Sequence, residues 1–142
     1  MSNRMTHDDQ LAHVPLFGHL SRKERREVDQ LMTQVDLEPG QVLAHQGATG
    51  HEFFLIVGGT AKVERDGVHV ADVGPGDFQG EISLLDGGPR TATVTATSPM
   101  VIMVATQIEF FALLDRVPAL ARQMLPALAH RVRAANDAAL TY

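Results

Sequence analysis

From Gly40 onward the chain breaks into short runs of strand-forming residues, with glycine or proline punctuation between most of them, and this spacing restricts the fold more than any other feature. Residues 41–45, 52–57, 60–64, 68–73, 91–96 and 100–105 carry the β-branched and aromatic side chains that suit a pleated, half-buried surface. Gly47, Gly50, Gly58-Gly59, Asp66-Gly67 and Gly74-Pro75-Gly76 punctuate the runs, and Asp66-Gly67 has the composition of a tight hairpin turn. Many short strands at even spacing predict a mainly β protein, a jelly-roll barrel.

Both flanks read as helix. Ser21 and Glu24 form a capping-box pair, and Val28, Leu31, Met32 and Val35 extend an apolar stripe behind a basic face of Arg22, Lys23, Arg25 and Arg26. Residues 1–10 are expected to be disordered, with Asp8 or Asp9 capping a short helix that ends at Val14 before Pro15. After the strands, 107–116 predicts a helix with Phe110, Phe111, Leu113 and Leu114 inward, and Pro118 suits the first position of another. Leu120, Met124, Leu128 and Val132 repeat every four residues, but Pro126 interrupts them, so a kink or restart is expected there. The organisation read from these segments is one domain over 11–142: a helical segment 11–38, a barrel 39–106 and C-terminal helices 107–140.

A net charge of −5 argues against nonspecific binding of nucleic acid or an anionic membrane, since either needs a basic face. No apolar run reaches the length of a membrane span and the polar N-terminus lacks a signal-peptide core, which makes the cytoplasm the default location. With no cysteine, disulfides and thiolate chemistry are excluded. His45, His51 and His69 are scattered without a His-x-His pair, so no metal site and no cofactor are expected, and Ser83 has neither a nucleophile-elbow setting nor a partnering base. The chain is therefore read as a non-enzyme.

The chemistry concentrates between Gly74 and Val94. Gly80 has no Cβ to keep backbone away from a ligand, and Glu81 to Leu85 can make one helical turn whose free N–H groups attract an anion. Arg90 can return across Gly87-Gly88-Pro89 and offer two phosphate oxygens a planar fork. Glu81 is unsuited to an anion, but as an acceptor it can take a hydrogen bond from a sugar hydroxyl. A ribose cyclic phosphate carries both groups at that separation.

Here the chain resembles the phosphate-binding cassette of cyclic nucleotide-binding domains. Gly80-Glu81-Ile82-Ser83-Leu84-Leu85 matches its Gly-Glu and apolar-small-apolar turn, and Pro89-Arg90-Thr91-Ala92-Thr93-Val94 its Pro-Arg-x-Ala-Thr-apolar run. Gln79 departs from the large apolar residue usual before Gly-Glu. The resemblance extends through Pro39-Gly40, Gln46-Gly47 and Gly59, and it implies an eight-stranded jelly-roll β-barrel with short N-terminal helices and C-terminal helices. It implies that Glu81 binds the ribose 2′-hydroxyl, that Arg90 pairs with the cyclic phosphate, and that N–H groups near Ile82, Ser83 and Thr91 assist, with Ala92 completing the cassette. Thr91 lies where a hydroxyl can meet a guanine amino group, and Arg131 where related domains fold a lid over the base. The expected ligand is cAMP first, with cGMP tolerated, and the expected output is movement of the C-terminal helices toward a separate effector protein or domain. The apolar repeat of the last helix suits either a homodimer or packing on the barrel. The alternative reading is a protein-interaction module of the same fold that binds no nucleotide.

Overall fold

Two strands with unbroken apolar runs, Phe53-Phe54-Leu55-Ile56-Val57 and Met100-Val101-Ile102-Met103-Val104-Ala105, set the architecture, because such a strand needs cover on both faces. In the computed structural model, which describes residues 17–80, 84 and 87–140 with side chains as far as Ala134, both have it. On β3 (Glu52–Gly58), Phe53 and Leu55 face a core shared with the helices, while Phe54 and Ile56 face a second core between two sheets. On β8 (Met100–Thr106), Met103 and Ala105 join the first core, and Met100, Ile102 and Val104 the second.

The remaining strands are β1 (Thr33–Leu37), β2 (Val42–Ala44), β4 (Ala61–Arg65), β5 (Val68–Val73), β6 (Phe78–Gln79) and β7 (Thr93–Ala96). They form two four-stranded sheets, ordered β1-β8-β3-β6 and β2-β7-β4-β5, with every pairing antiparallel. The eight strands are thus a jelly-roll sandwich rather than a closed barrel: each sheet keeps two edges. In the second sheet burial alternates as expected for one wet face, with Ala61, Val63, Val94 and Ala96 inward and Lys62, Glu64, Thr93 and Thr95 less buried. At the β4–β5 turn, Asp66 and Gly67 have left-handed φ values of 55° and 77°, the hairpin geometry their sequence predicts.

Helix α1 (Arg22–Leu31) starts at the predicted capping box: Ser21 Oγ accepts from the Glu24 N–H at 3.1 Å and Glu24 Oε1 from the Ser21 N–H at 2.8 Å. It is shorter than its apolar stripe suggested. Val35 stands on β1, paired with Ile102, and is exposed. Helix α2 (Gln107–Arg116) docks on the first sheet by stacking Phe110 on Phe53, with ring centroids 4.7 Å apart. Each buried phenylalanine contributes about 1.5–3 kcal/mol. Phe111, expected inward, is 41% exposed, because it falls on the face turned away from Phe110 and Leu113.

Helix α3 (Pro118–Leu140) opens on proline as predicted and continues through Pro126 without restarting. Pro126 and Arg122 are both exposed, so the carbonyl freed by the missing N–H faces water. Leu120 and Met124 are buried and Leu128 partly so, whereas Val132 is exposed. The expected N-terminal disorder and the helix ending at Val14 lie outside the described residues.

Candidate functional site

Arg90 is the buried charged side chain among the described residues, at 8% exposure. Its backbone is fixed first: its N–H donates to the Ala48 carbonyl at 2.9 Å and its own carbonyl accepts from the Gly47 N–H at 2.8 Å. Thr49 and Pro89 form an antiparallel bridge alongside, so the turn before Arg90 does return, as its sequence predicts, and it lands on the loop between β2 and β3. From there the side chain runs between two glycines. A Cβ on Gly50 or on Gly80 would collide with the Arg90 side chain, and Gly80 also has φ +96°, which L side chains rarely adopt. Arg90 Nη2 donates to the Glu52 carbonyl at 2.6 Å, and the guanidinium carbon lies 5.1 Å from the centre of the Phe54 ring.

The arginine lies in the wall of a cavity of about 640 Å³ that has an apolar side, including Val63, Val70, Ala92 and Val94, and a polar side. Its described charged lining is Arg65, Arg90 and Arg131 against Asp72 and Asp77. The cavity therefore favours an anion although the whole chain carries −5. Asp77 is already occupied in its own turn, where a carboxylate oxygen accepts from the Gly74 N–H at 2.8 Å. The volume suits a ligand of nucleotide size.

Of the residues singled out in the sequence, Gly80, Arg90, Thr91, Ala92 and Arg131 all line this one cavity. Glu81, Ile82 and Ser83 lie outside the described residues. Across that stretch the Leu84 N–H donates to the Gly80 carbonyl at 3.2 Å, a helical i to i+4 spacing, and Leu84 is buried in the core shared with the helices. Arg131 Nη2 donates to the Phe78 carbonyl at 2.7 Å and its guanidinium carbon lies 4.4 Å from the centre of the Phe78 ring. Beyond it is a second space of about 370 Å³, bordered also by Asp77, Phe78 and His130, so Arg131 is a partition between the two.

Sequence reasoning missed Gly50, Glu52, Phe54 and Arg65. Gly50 was visible only as a turn residue, and the Glu52 contact is made by a backbone carbonyl, which no side-chain pattern can reveal. Phe54 reads as core. Arg65 lies far from the cassette in sequence, and only the β4–β7 pairing brings it alongside.

The family profile of the cyclic nucleotide-binding domain matches residues 34–117. The chain is 32% identical over 122 residues to the cAMP-dependent protein kinase regulatory subunit of Hypocrea atroviridis, covering 86% of this chain and 26% of that protein. It thus spans about a quarter of the length of the curated relatives it matches. Among solved structures it is similar to the N-terminal domain of a transcriptional regulator from Streptomyces coelicolor A3(2), at 36% identity and a TM-score of 0.68, covering 92% of this chain and 94% of that one. It is also similar to the Thermus thermophilus catabolite activator protein, at 29% identity and a TM-score of 0.77, covering 86% and 60%.

Proposed function

The chain belongs to the cyclic nucleotide-binding domain family, a regulatory rather than catalytic class, and from this we propose that it is a sensor domain that binds cAMP first, tolerates cGMP, and signals through its C-terminal helices. The observation that carries the reading is Arg90, threaded between Gly50 and Gly80 into the wall of the 640 Å³ cavity. A guanidinium held in a cavity wall offers donors only, in a planar fork, and a phosphate is the ligand that fork fits. In this assignment the cyclic phosphate pairs with Arg90, assisted by N–H groups at Ile82, Ser83 and Thr91, and Glu81 accepts from the 2′-hydroxyl. Gly80 and Ala92 shape the wall, and Arg131 is the lid over the base. The kinase relative's name, cAMP-dependent, supports the ranking of the two nucleotides.

Two contacts support transmission. Gln107 Nε2, at the start of α2, donates to the Leu84 carbonyl at 3.3 Å, and Leu84 packs in one core with Phe110, Leu120 and Met124. A ligand that draws the cassette inward therefore acts on the seats of α2 and α3. The effector is a separate protein or domain, and Leu125 and Val132, exposed on α3, are where a homodimer would form. Among the described residues no helix is long and apolar enough to cross a membrane. We place the domain in the cytoplasm.

Calorimetric titration with cAMP and with cGMP, on protein stripped of carried-over nucleotide by unfolding and refolding, tests the reading. Saturable binding with cAMP the tighter ligand is expected. No heat and no ligand-dependent rise in melting temperature for either nucleotide would favour the interaction-module reading instead. Glu81→Ala is expected to weaken cAMP binding about tenfold, a charged acceptor's worth, while scarcely changing the affinity of 2′-deoxy-cAMP. Equal losses for both ligands would remove Glu81 from the 2′-hydroxyl.

A further inference from the structure

Arg65 is the last residue of β4, directly before the Asp66-Gly67 turn, and it lines the same cavity as Arg90 and Thr91. Its setting is unlike that of Arg90. It is exposed at the cavity rim, and its Nε donates to the Thr91 carbonyl at 3.1 Å. That is its side chain's single hydrogen bond among the described residues, so both terminal nitrogens stay open while the base of the guanidinium is fixed.

The strand end that carries it is itself held. Gln46 and Asp66 exchange two hydrogen bonds of 2.8 Å, Gln46 Nε2 to Asp66 Oδ1 and the Asp66 N–H to Gln46 Oε1, and the Gln46 N–H donates to Thr93 Oγ1 at 2.9 Å. Arg65 is thus a positioned donor fork beside the residue that follows Arg90. The cavity it lines has an apolar side that includes Val63 and Val70, a surface suited to the flat face of a base.

The two purines differ at the edge such a fork would meet. Guanine presents two acceptors, N7 and O6, whereas adenine presents the N7 acceptor and the N6 amino donor. An arginine has donors only. It can pair twice with guanine, but its second nitrogen is opposed by the adenine amino group.

Resting on the reading of this cavity as a cyclic nucleotide site, we propose that Arg65 is a specificity-determining residue: its terminal nitrogens bind N7 and O6 of a guanine base, and this contact is what admits cGMP. Thr91 and Arg65 then act together, since the carbonyl of one orients the fork of the other. The contact adds to cGMP binding alone and leaves cAMP to be held by its phosphate and ribose.

The test is calorimetric titration of the full chain and of Arg65→Ala and Arg65→Lys with both nucleotides. Arg65→Ala is expected to weaken cGMP about tenfold more than it weakens cAMP, the scale of one good base contact, because both nucleotides share what the lost positive charge gave the cavity. Retained, saturable cAMP binding also shows that the variant folds. Arg65→Lys keeps the charge without the fork, and is expected to follow alanine for cGMP. Equal losses for the two nucleotides would place Arg65 on the phosphate and overturn the proposal, as would unaltered cGMP binding in Arg65→Ala. Wild-type protein that binds cAMP but not cGMP overturns it while leaving the sensor reading intact. Wild-type protein that binds neither removes both.

Discussion

Arg90→Ala is expected to lower the affinity for cAMP ten- to a hundredfold, corresponding to about 1.5–3 kcal/mol for a hydrogen-bonded charged group. The loss comes from the ligand side, because the residue's backbone bonds to Gly47 and Ala48 do not depend on its side chain. Within the fold, the deletion removes one hydrogen bond to the Glu52 carbonyl and the contact with Phe54, and it also removes a buried charge. These act in opposite directions on stability. A melting curve recorded with the titration separates folding from binding. Arg90→Lys is expected to recover only part of the affinity, since a lysine in the same channel presents a point charge rather than a fork. A variant of Arg90 without the guanidinium that binds cAMP as well as the wild type does would overturn the phosphate assignment.

The second large effect is expected at Gly80. Alanine there must hold φ near +96°, which costs about 1–3 kcal/mol, and its Cβ meets both the Arg90 guanidinium and the Glu52 carbonyl. The side chain can shift; the carbonyl belongs to β3 and cannot easily. Gly80→Ala should therefore lower stability by more than the backbone strain alone and, by pushing Arg90 from its seat, weaken cAMP as well. Gly87→Ala is the matched control, with φ +74° and nothing within 4 Å of the added carbon. Denaturant unfolding and titration of both variants isolate the collision from the strain. If Gly80→Ala binds cAMP as Gly87→Ala does, the close packing of Gly80 on Arg90 has no bearing on the ligand.

The strands were legible where burial leaves a pattern. Two-sided burial of β3 and β8 and one-sided burial of β4 and β7 both leave a record in residue order, and the Asp66-Gly67 turn carries its own chemistry. β1 was not legible, because Thr33-Gln34-Val35-Asp36-Leu37 places Val35 at a spacing that also continues the α1 stripe, and only the pairing with β8 decides. β6 is two residues long, too short for any periodicity. Sandwich rather than barrel is a matter of which edges meet, and local sequence does not encode it. At the site, the cassette run marked out Arg90 and its glycine at 80, because one short segment supplies both. The Glu52 carbonyl, Phe54, Gly50 and Arg65 come from elements distant in sequence and entered only through the fold.

The first sheet has a mechanical consequence. With packed cores on both faces it is a stiff plate standing between the sheet-to-sheet interior and the helices, and packing of that density transmits strain rather than absorbing it. Its short margin is β6, paired with β3 at Phe54–Gln79 and Leu55–Phe78 and tied to it just before by the Ile56 N–H to the Asp77 carbonyl at 2.9 Å and the Gly76 N–H to the Ile56 carbonyl at 2.8 Å. Phe78 touches Phe53 on one side and the Arg131 guanidinium on the other. If the domain signals as proposed, a shift at the cavity reaches the helices through Phe78, which links the margin of the plate to both Phe53 and Arg131.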